Sequence, residues 1–346
     1  MLKGKGYTTR SGVIARLEDE NGAFGWGEIA PLPGFSDESL EQAESQLREL
    51  RSSLRGYPVP ENLDELSGGF DRWLGQYQLY PSVRFGVEMA ILNLTASDRS
   101  VLLVDVMADD HPNEILINAM LAGTADEIIQ GVKKRLELGY RVMKLKVGRQ
   151  EMARDIKLLH QICDVVSDDV AIRLDANRAW SYNDAKVFAE AMQNCNVEYV
   201  EEPLENSGEI GRLIRETEMP VALDETMVGL SPEWFLASSG IRAIVLKPML
   251  IGGFEIAMKF ARKAIRSNLK AVISSSYESG IGLSGLAHLA GAFNRPETAH
   301  GLDTLNWFSD DLTVEPLDIE SGSLDLRKLT SSPLLKMSLL SELPND

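Results

Sequence analysis

The chain has 346 residues, of which 44% are hydrophobic and 25% are charged, as in an ordinary folded protein. This length suits one large domain or two ordinary ones. The formal net charge of -17 argues against general affinity for nucleic acid. It does not exclude an anionic substrate, because a bound cation and local lysines can make a pocket positive.

Two features predict the cellular compartment. Cys163 and Cys195 are too few for a disulfide framework and lack the spacing of zinc ligands, so we expect reduced, mostly buried thiols. The N-terminal residues contain no apolar core of a signal peptide, and no apolar run reaches transmembrane length. These observations predict a cytoplasmic protein that does not bind membranes.

The N-terminal part of the chain predicts a β-hairpin followed by a stiff loop. Residues 11–17 and 23–29 alternate in polarity, and a turn-forming Glu-Asn-Gly sequence separates them. Two prolines and a glycine make residues 31–36 an ordered loop.

Two helices are predicted in the rest of the first hundred residues. Residues 37–54 form the first, with Ser36 or Asp37 as its N-cap, and residues 82–94 form the second. Residues 56–81, rich in Pro, Gly and Tyr, are predicted to be irregular. Residues 1–100 therefore predict a small α+β unit.

Strand and helix patterns alternate from Glu114 onwards. The predicted strands are residues 115–121, 140–145, 170–174, 197–200, 221–223, 241–246, 270–275 and 298–302. The helical segments between them include residues 125–138, 149–166, 183–193, 254–266 and 282–293. This pattern predicts an α/β fold, a modified TIM (β/α) barrel at residues 101–304. The α+β capping domain would be completed by residues 305–346.

Charged residues close several of these strands and lie 23 to 29 residues apart. They are Lys146, Asp175, Glu201, Asp224 and Lys247. Because the carboxyl ends of barrel strands meet on one face, we expect these side chains to share a pocket. Three carboxylates suit a hard divalent cation, and lysines beside a cation suit proton abstraction next to a carboxylate.

Each of these charges has a simpler interpretation on its own. A single strand-end carboxylate is more often a helix N-cap or a surface charge, but three in series are better explained by metal binding, which relieves their repulsion. Spacing alone decides least well between Glu201 and Glu202. Lys144 shares a face with Lys146 on an apolar strand, where unpaired lysines are costly.

The loop at residues 274–280 is rich in serine and follows the seventh predicted strand. Most such loops have no function, but this one precedes a helix, and its hydroxyl and amide groups could hold a carboxylate. The four histidines form no cluster, and none ends the sixth or seventh strand, which argues against a histidine base.

Several motifs occur together in a recognisable order. They are Lys-x-Lys at 144–146, Asp-x-Asn at 175–177, Glu-Glu-Pro at 201–203, Asp-Glu at 224–225 and Lys-Pro at 247–248. With residues 25–36, 81–86, 274–279 and 300–304, they resemble the enolase superfamily, on its muconate-lactonising branch, and most of all the o-succinylbenzoate synthases. The resemblance covers about residues 12–303. The chain starts later than is usual in that family, which predicts an abbreviated cap sheet.

The resemblance implies one magnesium ion, or manganese in its place. Its implied ligands are Asp175, Glu201 and Asp224. Lys146 would be the base that removes the proton alpha to the substrate carboxylate and then protonates the departing hydroxide. Lys247 would face the enediolate as a cation, and Lys144 would favour the neutral form of Lys146 by like-charge repulsion. Implied substrate contacts are Leu32, Pro33, Gly34, Arg173, Asn177, Ser274 and Ser276.

The implied reaction is the dehydration of 2-succinyl-6-hydroxy-2,4-cyclohexadiene-1-carboxylate to 2-succinylbenzoate in menaquinone biosynthesis, so the implied partner is a small carboxylate. The alternatives are an N-acylamino-acid racemase or a dipeptide epimerase of the same superfamily, and a barrel that binds a ligand without catalysis. Dipeptide epimerases typically carry Asp-x-Asp after the eighth strand, where this chain has Gly301-Leu302-Asp303. The oligomeric state stays open, and a monomer is compatible with the sequence.

Overall fold

The computed structural model describes residues 9–232 and 240–343. The chain begins with the predicted hairpin, in which β1 (Val13–Glu18) pairs antiparallel with β2 (Phe24–Ile29). Asp19 shapes the turn, because its Oδ1 accepts hydrogen bonds from the N–H groups of Asn21 and Ala23, each at 2.9 Å. Within the described ranges the cap sheet consists of these two strands.

Helix α1 (Leu40–Leu54) starts later than predicted. Its N-cap is Ser39, and not Ser36 or Asp37. The Ser39 hydroxyl accepts from the Gln42 N–H at 3.3 Å, and the Gln42 side chain accepts from the Ser39 N–H at 2.8 Å. This reciprocal capping box satisfies two amide groups, which fixes where the helix begins.

The prediction that residues 56–81 are irregular is wrong in part, because they contain the short helix α2 (Gly69–Leu74). The carboxylate of Glu255 accepts hydrogen bonds from the N–H groups of Gly68, Phe70 and Asp71 at 2.7 to 3.1 Å. A helix whose first amides are satisfied by a residue far along the chain leaves little local pattern in the sequence.

Helix α3 (Pro81–Arg99) is longer than predicted and packs across the hairpin. Two glycines of β2 allow this close approach. A Cβ on Gly27 would lie 1.9 Å from the carbonyl oxygen of Gly86, and one on Gly25 would lie 2.2 Å from that of Ala90. A side chain at either position would push the helix off the hairpin.

The predicted strand at residues 115–121 is in fact two strands. After α4 (Leu103–Met107) come β3 (Glu114–Leu116) and β4 (Ala119–Leu121), which belong to different sheets. Only β4 takes part in the barrel. The short break between them lets the chain leave one sheet and enter the other.

Seven parallel strands, side by side in chain order, form the barrel sheet. Those after β4 are β5 (Val142–Lys146), β6 (Ala171–Asp175), β7 (Val197–Glu201), β8 (Val221–Leu223), β9 (Ile241–Leu246) and β10 (Lys270–Ile273). The helices between and after them are α5 (Ala125–Glu137), α6 (Met152–Cys163), α7 (Tyr182–Ala191), α8 (Ile210–Thr217), α9 (Pro248–Ile251), α10 (Phe254–Arg266) and α11 (Gly280–Gly291). The predicted alternation of strands and helices is confirmed.

The predicted eighth strand is reduced to a short seam. The N–H of His300 donates to the carbonyl of Leu116 at 2.7 Å, and the N–H of Gly301 donates to that of Ile273 at 2.8 Å. These residues form isolated parallel bridges to both edges of the sheet. The seam joins the edge strands, so the modified TIM barrel is confirmed with seven regular strands in the described residues.

The C-terminal segment returns to the body of the protein. Its strand β11 (Ser323–Asp325) pairs antiparallel with β3. The Ser332 hydroxyl donates to the Phe24 carbonyl at 3.4 Å, which is a weak contact with the hairpin. Whether this segment completes the capping domain stays a prediction, as does a boundary near residue 100.

The prediction of two reduced cysteines is wrong for this structure, because Cys163 and Cys195 form a disulfide with their Cα atoms 5.7 Å apart. Cys163 ends α6, and Cys195 lies just before β7. Both therefore sit at the amino-terminal end of the barrel strands. No helix within the described ranges has the length and apolarity needed to cross a membrane.

Candidate active site

Three charged residues stand in one row across the carboxyl ends of the barrel strands. Lys146 on β5 lies opposite Asp175 on β6, and Asp175 lies opposite Glu201 on β7. Each residue is the last of its strand. Side chains at one register level of a barrel point the same way, so this row forms one wall of the site.

Lys146 is the more accessible of the two lysines on β5. Its Nζ donates to Asp175 Oδ2 at 2.9 Å and to Asn177 Oδ1 at 2.6 Å. The Asn177 amide in turn donates to Glu225 Oε1 at 3.0 Å. The side chain of Lys146 is 27% exposed, compared with 8% for Lys144. An amine held by two acceptors and open to the cavity can exchange protons with a ligand.

Lys144 lies deeper and neutralises two carboxylates. Its Nζ donates to the two oxygens of Glu201 at 2.7 and 2.8 Å and lies 3.1 Å from Asp175 Oδ2. Burial alone would lower the pKa of Lys144, but Asp175 and Glu201 raise it well above its ordinary value. Lys144 is therefore a fixed positive charge near Lys146.

Lys247 brings positive charge from the other side of the barrel. It follows β9 directly and precedes Pro248, the first residue of α9. Its Nζ donates a hydrogen bond to Asp224 Oδ2. Burial would lower the pKa of Lys247, but Asp224 and Glu201 raise it. Lys247 and Lys146 thus face the same cavity from different strands.

The surroundings shift the pKa values of the two buried carboxylates of the row in opposite directions. Burial would raise the pKa of Asp175, but the three site lysines hold it well below its usual range. Burial raises the pKa of Glu201, Lys144 opposes this rise, and the neighbouring carboxylates reinforce it. Negative charge is therefore favoured most strongly on Asp175.

Glu202 turns away from the row. Its carboxylate accepts from the N–H groups of Asp224 and Thr226 at 3.0 and 2.7 Å and pairs with Arg178 at 3.2 Å. It therefore braces the turn that carries Asp224, and Glu201 is the residue that faces the cavity.

The donor set suits a hard divalent cation. Asp175, Glu201 and Asp224 offer carboxylate oxygens, and their exposed fractions are 2%, 0% and 3%. In the part of the chain that the structure describes, they do not form a ready-made group of three ligands, since lysine ammonium groups contact the same oxygens. A divalent cation would compete with the lysines for these oxygens. The residues fit such an ion, and their assignment as ligands stays a prediction.

A cavity of about 70 Å³ lies beside the charged row. The remainder of its wall is apolar or carries hydroxyl and amide groups. These lining residues are Leu32, Phe35, Asn118, Met120, Asn177, Tyr199, Val245, Leu250, Val272, Ser274, Ser275, Ser276, Tyr277, Gly301 and Thr304. A ligand here would contact charge on one side and neutral groups on the other.

The structure brings some of the predicted substrate contacts together and not others. Leu32, Asn177, Ser274 and Ser276 line the cavity. Pro33 and Gly34 are exposed, and neither is among the lining residues. The loop at residues 31–36, named the proline loop from here on, therefore presents Leu32 and Phe35 to the cavity.

Arg173 lies below the cavity, inside the barrel. It is fully buried, and it donates to Glu198 at 2.6 Å, to Asn118 Oδ1 at 3.1 Å and to the Ala299 carbonyl at 2.8 Å. It is not among the cavity-lining residues. Arg173 therefore braces the floor of the site through Asn118, and the strand period indicated its face but not its depth.

Ser276 has unused hydrogen-bonding capacity in the cavity. It is 1% exposed, and its hydroxyl has no hydrogen-bond partner within the described residues. Ser275, by contrast, shares its hydroxyl with Thr304 at 2.9 Å and with the N–H of Tyr277 at 2.8 Å. A buried hydroxyl without a partner is costly, and a ligand oxygen would satisfy it.

Several lining residues were not predicted from the sequence, among them Phe35, Asn118, Tyr199, Tyr277 and Thr304. Tyr199 could have been found, because it precedes Glu201 by two positions, as Lys144 precedes Lys146, and so shares its face. For Phe35 and Thr304 no comparable local signal exists.

Two family descriptions match the sequence. The description "MenC, N-terminal domain" matches residues 1–94, and "Enolase C-terminal domain-like" matches residues 127–330. The second match alone covers more than half of the chain.

Individual relatives agree with these matches. The chain is 33% identical over 345 residues to the protein PHYLLO, chloroplastic, of Arabidopsis thaliana, covering 90% of this chain but only 20% of that protein. It is 34% identical over 310 residues to the o-succinylbenzoate synthase of Pectobacterium atrosepticum, covering 88% of this chain and 86% of that one. The crystal structure of MenC from Desulfotalea psychrophila matches with a TM-score of 0.78 at 25% identity, covering 92% of this chain and 98% of that chain. The chain therefore belongs to the enolase superfamily and, within it, groups with the o-succinylbenzoate synthases, which are lyases.

Proposed function

We propose that the protein is an o-succinylbenzoate synthase, which dehydrates 2-succinyl-6-hydroxy-2,4-cyclohexadiene-1-carboxylate to 2-succinylbenzoate in menaquinone biosynthesis with the help of magnesium. The observation that carries the proposal is the row of Lys146, Asp175 and Glu201 beside a cavity that Lys247 also faces. An amine base, oxygen ligands for a cation and a second positive charge are what proton removal next to a carboxylate requires.

In the proposed first step, Lys146 takes the proton from carbon 1, which bears the substrate carboxylate. Lys146 must be neutral to do so, and its Nζ lies in the cavity beside the fixed positive charge of Lys144. The electron pair left on carbon 1 spreads into the carboxylate as an enediolate, whose negative charge Lys247 faces. Magnesium bound by Asp175, Glu201 and Asp224 would supply further positive charge to those oxygens.

In the proposed second step, Lys146 returns the proton to the hydroxyl group on carbon 6. The carbon–oxygen bond breaks, water leaves, and a double bond forms between carbons 1 and 6. Because one lysine serves both atoms from one side of the ring, the elimination is syn. The product ring is aromatic, so this step is downhill, and proton removal is the harder one.

The groups on the neutral wall of the cavity suit the chemistry of the rest of this substrate. The Ser276 hydroxyl, which has no hydrogen-bond partner in the described part of the chain, would donate to the succinyl carboxylate, as would Ser274 on the same cavity wall. Leu32 from the proline loop would cover the apolar ring. Hydrogen-bond donors for the distal carboxylate and an apolar contact for the ring would set the orientation of the substrate.

One observation favours a second candidate, an N-acylamino-acid racemase. Lys146 and Lys247 face the same cavity from different strands, so one could remove a proton and the other return it to the opposite side. A dipeptide epimerase is less well supported, because Asp303 does not line this cavity and lies near Arg135 in a separate one. A barrel without catalysis would not explain why the acid–base set is complete.

The test is an ultraviolet assay of the wild-type protein with the cyclohexadiene substrate and magnesium, run beside a racemisation assay with an N-succinyl amino acid. We expect rapid loss of the diene absorbance that stops when EDTA is added. Racemisation without dehydration would move the assignment to the racemase. Inactivity in both assays, with a folded protein, would support the binding barrel.

We propose that the protein is cytoplasmic, a location in which disulfides are rare. The Cys163–Cys195 disulfide makes this point testable. If the protein resides in a reducing cytoplasm, rapid alkylation of freshly lysed cells, followed by mass spectrometry, should find both cysteines as free thiols before oxidation forms the disulfide seen in the structure. A disulfide recovered intact under these conditions would place the protein in an oxidising compartment.

A further inference from the structure

A buried carboxylate joins the cap hairpin to the end of the serine loop, defined here as residues 274–279. Glu28 on β2 is 4% exposed. It accepts from the Ser279 N–H at 3.0 Å, from the Ser279 hydroxyl at 2.6 Å and from the Gly282 N–H at 2.9 Å. Ser279 is the N-cap of α11. The cap therefore holds the junction between the serine loop and α11 through one side chain.

Arg10 ties the serine loop to the proline loop. Its guanidinium donates to the carbonyls of Ala30 and Pro31 on the cap side, the latter at 2.8 Å. On the barrel side it donates to the carbonyls of Tyr277 and Ser276 at 3.3 and 3.4 Å. One cation thus connects the two loops that border the cavity.

The serine loop has a backbone that needs such support. Tyr277 has a φ of +65°, a left-handed conformation that is uncommon for a bulky residue. The carboxylate of Glu278 accepts a hydrogen bond from the Ser276 N–H at 2.6 Å, which fixes the residue before Tyr277. Ser276 and Tyr277 both line the cavity, whereas Arg10 and Glu28 do not. The contacts from the cap can therefore affect a substrate only through the loop.

We propose that Glu28 and Arg10 are positioning residues that hold the serine loop so that the Ser276 hydroxyl and Tyr277 face the substrate. This inference rests on the proposed function. If these contacts were lost, part of the free energy of substrate binding would be used to order the loop. The substrate would then bind more weakly, and KM would rise. The row on β5, β6 and β7 would be untouched, so kcat would change little.

The chain offers a matched control for Glu28. Glu88 on α3 is also a buried cap glutamate that accepts a backbone N–H at the start of a barrel helix, from Glu255 at 2.9 Å. It serves α10 instead of α11. In Glu28→Gln the new amide group would face the Ser279 and Gly282 donors, and in Glu88→Gln the same change would occur away from the serine loop.

The experiment measures steady-state kinetics and thermal unfolding of Glu28→Gln, Glu28→Asp and Glu88→Gln. For Glu28→Gln we expect KM to rise about tenfold while kcat stays within about threefold, with partial recovery in Glu28→Asp. Glu88→Gln should lower the melting temperature and leave KM unchanged. Equal KM values in the two glutamine variants, or a loss of kcat alone in Glu28→Gln, would overturn the proposal.

Hydrogen exchange of the same variants separates this proposal from the proposed function. Amides of residues 276–282 should exchange faster in Glu28→Gln and at the wild-type rate in Glu88→Gln, whether or not the protein dehydrates the substrate. Unchanged exchange in this segment of Glu28→Gln would overturn the positioning role. Failure of the wild type to turn over the substrate, with faster exchange in Glu28→Gln, would overturn only the proposed reaction.

Discussion

The two ends of the barrel are built from different chemistry. At the carboxyl end of the strands, Lys144, Asp175 and Glu201 are charged side chains that are at most 8% exposed. At the amino end, the Cys163–Cys195 disulfide joins the end of α6 to the chain before β7. Clustered buried charges are weak evidence of stability, whereas a disulfide that closes a loop stabilises a fold. We infer that the carboxyl end serves function and the amino end serves stability.

The largest expected effect concerns the base at the carboxyl end. Lys146→Ala should lower kcat by about 10³-fold to 10⁴-fold, because general base catalysis contributes on that order. The fold should survive, since Lys144 still pairs with Asp175. Steady-state kinetics with circular dichroism checks both parts, and the exposed Lys157→Ala is the control. Activity near the wild-type level in Lys146→Ala would remove Lys146 from the mechanism.

The second prediction concerns His300, in the seam that closes the barrel. Burial lowers the pKa of His300 to about 3, and its Nδ1 accepts from the Ile273 N–H, so the folded state holds a neutral ring. The unfolded chain takes up the proton near pH 6.5. This contribution to the free energy of unfolding is therefore complete above that pH and is lost as the pH falls toward 3, at up to about 1.4 kcal/mol per pH unit.

Urea unfolding at several pH values between 7 and 4 measures this slope. His300→Gln should make the slope shallower, because one titrating group is gone from both states, while the buried His288, whose pKa is also lowered by burial, remains. The exposed His160→Gln is the control and should keep the wild-type slope. Identical slopes in His300→Gln and the wild type would show that other groups cause the acid sensitivity.

The third prediction isolates the amino end. The double variant Cys163→Ser, Cys195→Ser should lose about 3 kcal/mol of unfolding free energy, since the disulfide closes a loop that carries β6 and α7. Its kcat/KM should equal that of the wild type. Reducing agent should shift the unfolding midpoint of the wild type and leave the double variant unaffected. A fall in kcat/KM at unchanged stability would contradict the assignment of function to the carboxyl end and of stability to the amino end.

The smallest expected effect concerns the neutral wall of the cavity. Ser276→Ala should raise KM about tenfold and leave kcat nearly unchanged, because one hydrogen bond to a carboxylate is worth about 1.4 kcal/mol or somewhat more. The exposed Ser53→Ala is the control. A large loss of kcat in Ser276→Ala would mean that the hydroxyl acts in the chemistry and not only in binding.

The sequence could predict the features that follow from regular spacing of residues along the chain. Strand-end charges 23 to 29 residues apart predicted the row of Lys146, Asp175 and Glu201, because barrel strands carry their ends to one face. Alternation within a strand also indicated the faces of Lys144 and Arg173. It did not give their depth: Arg173 was expected to contact the substrate, but it is not among the cavity-lining residues and contacts Asn118, which is.

What the sequence could not predict depends on contacts between distant residues. The pairing of Cys163 with Cys195 follows from how α6 and β7 pack, and the sequence around each cysteine carries no signal for it. Helix α2 relies on Glu255 from the barrel. The contact of Glu28 with Ser279 joins residues 251 positions apart. Such contacts hold the segments around the site in place, and the sequence motifs do not indicate them.

A titration with Mn²⁺ followed by electron paramagnetic resonance, using the wild type and Asp175→Asn, would show whether the buried charges at the carboxyl end form a cation site beside the base. We expect one tightly bound Mn²⁺ per chain, displaced by Mg²⁺, and much weaker binding in Asp175→Asn. No bound ion in the wild type, or equal affinity in the variant, would contradict this expectation.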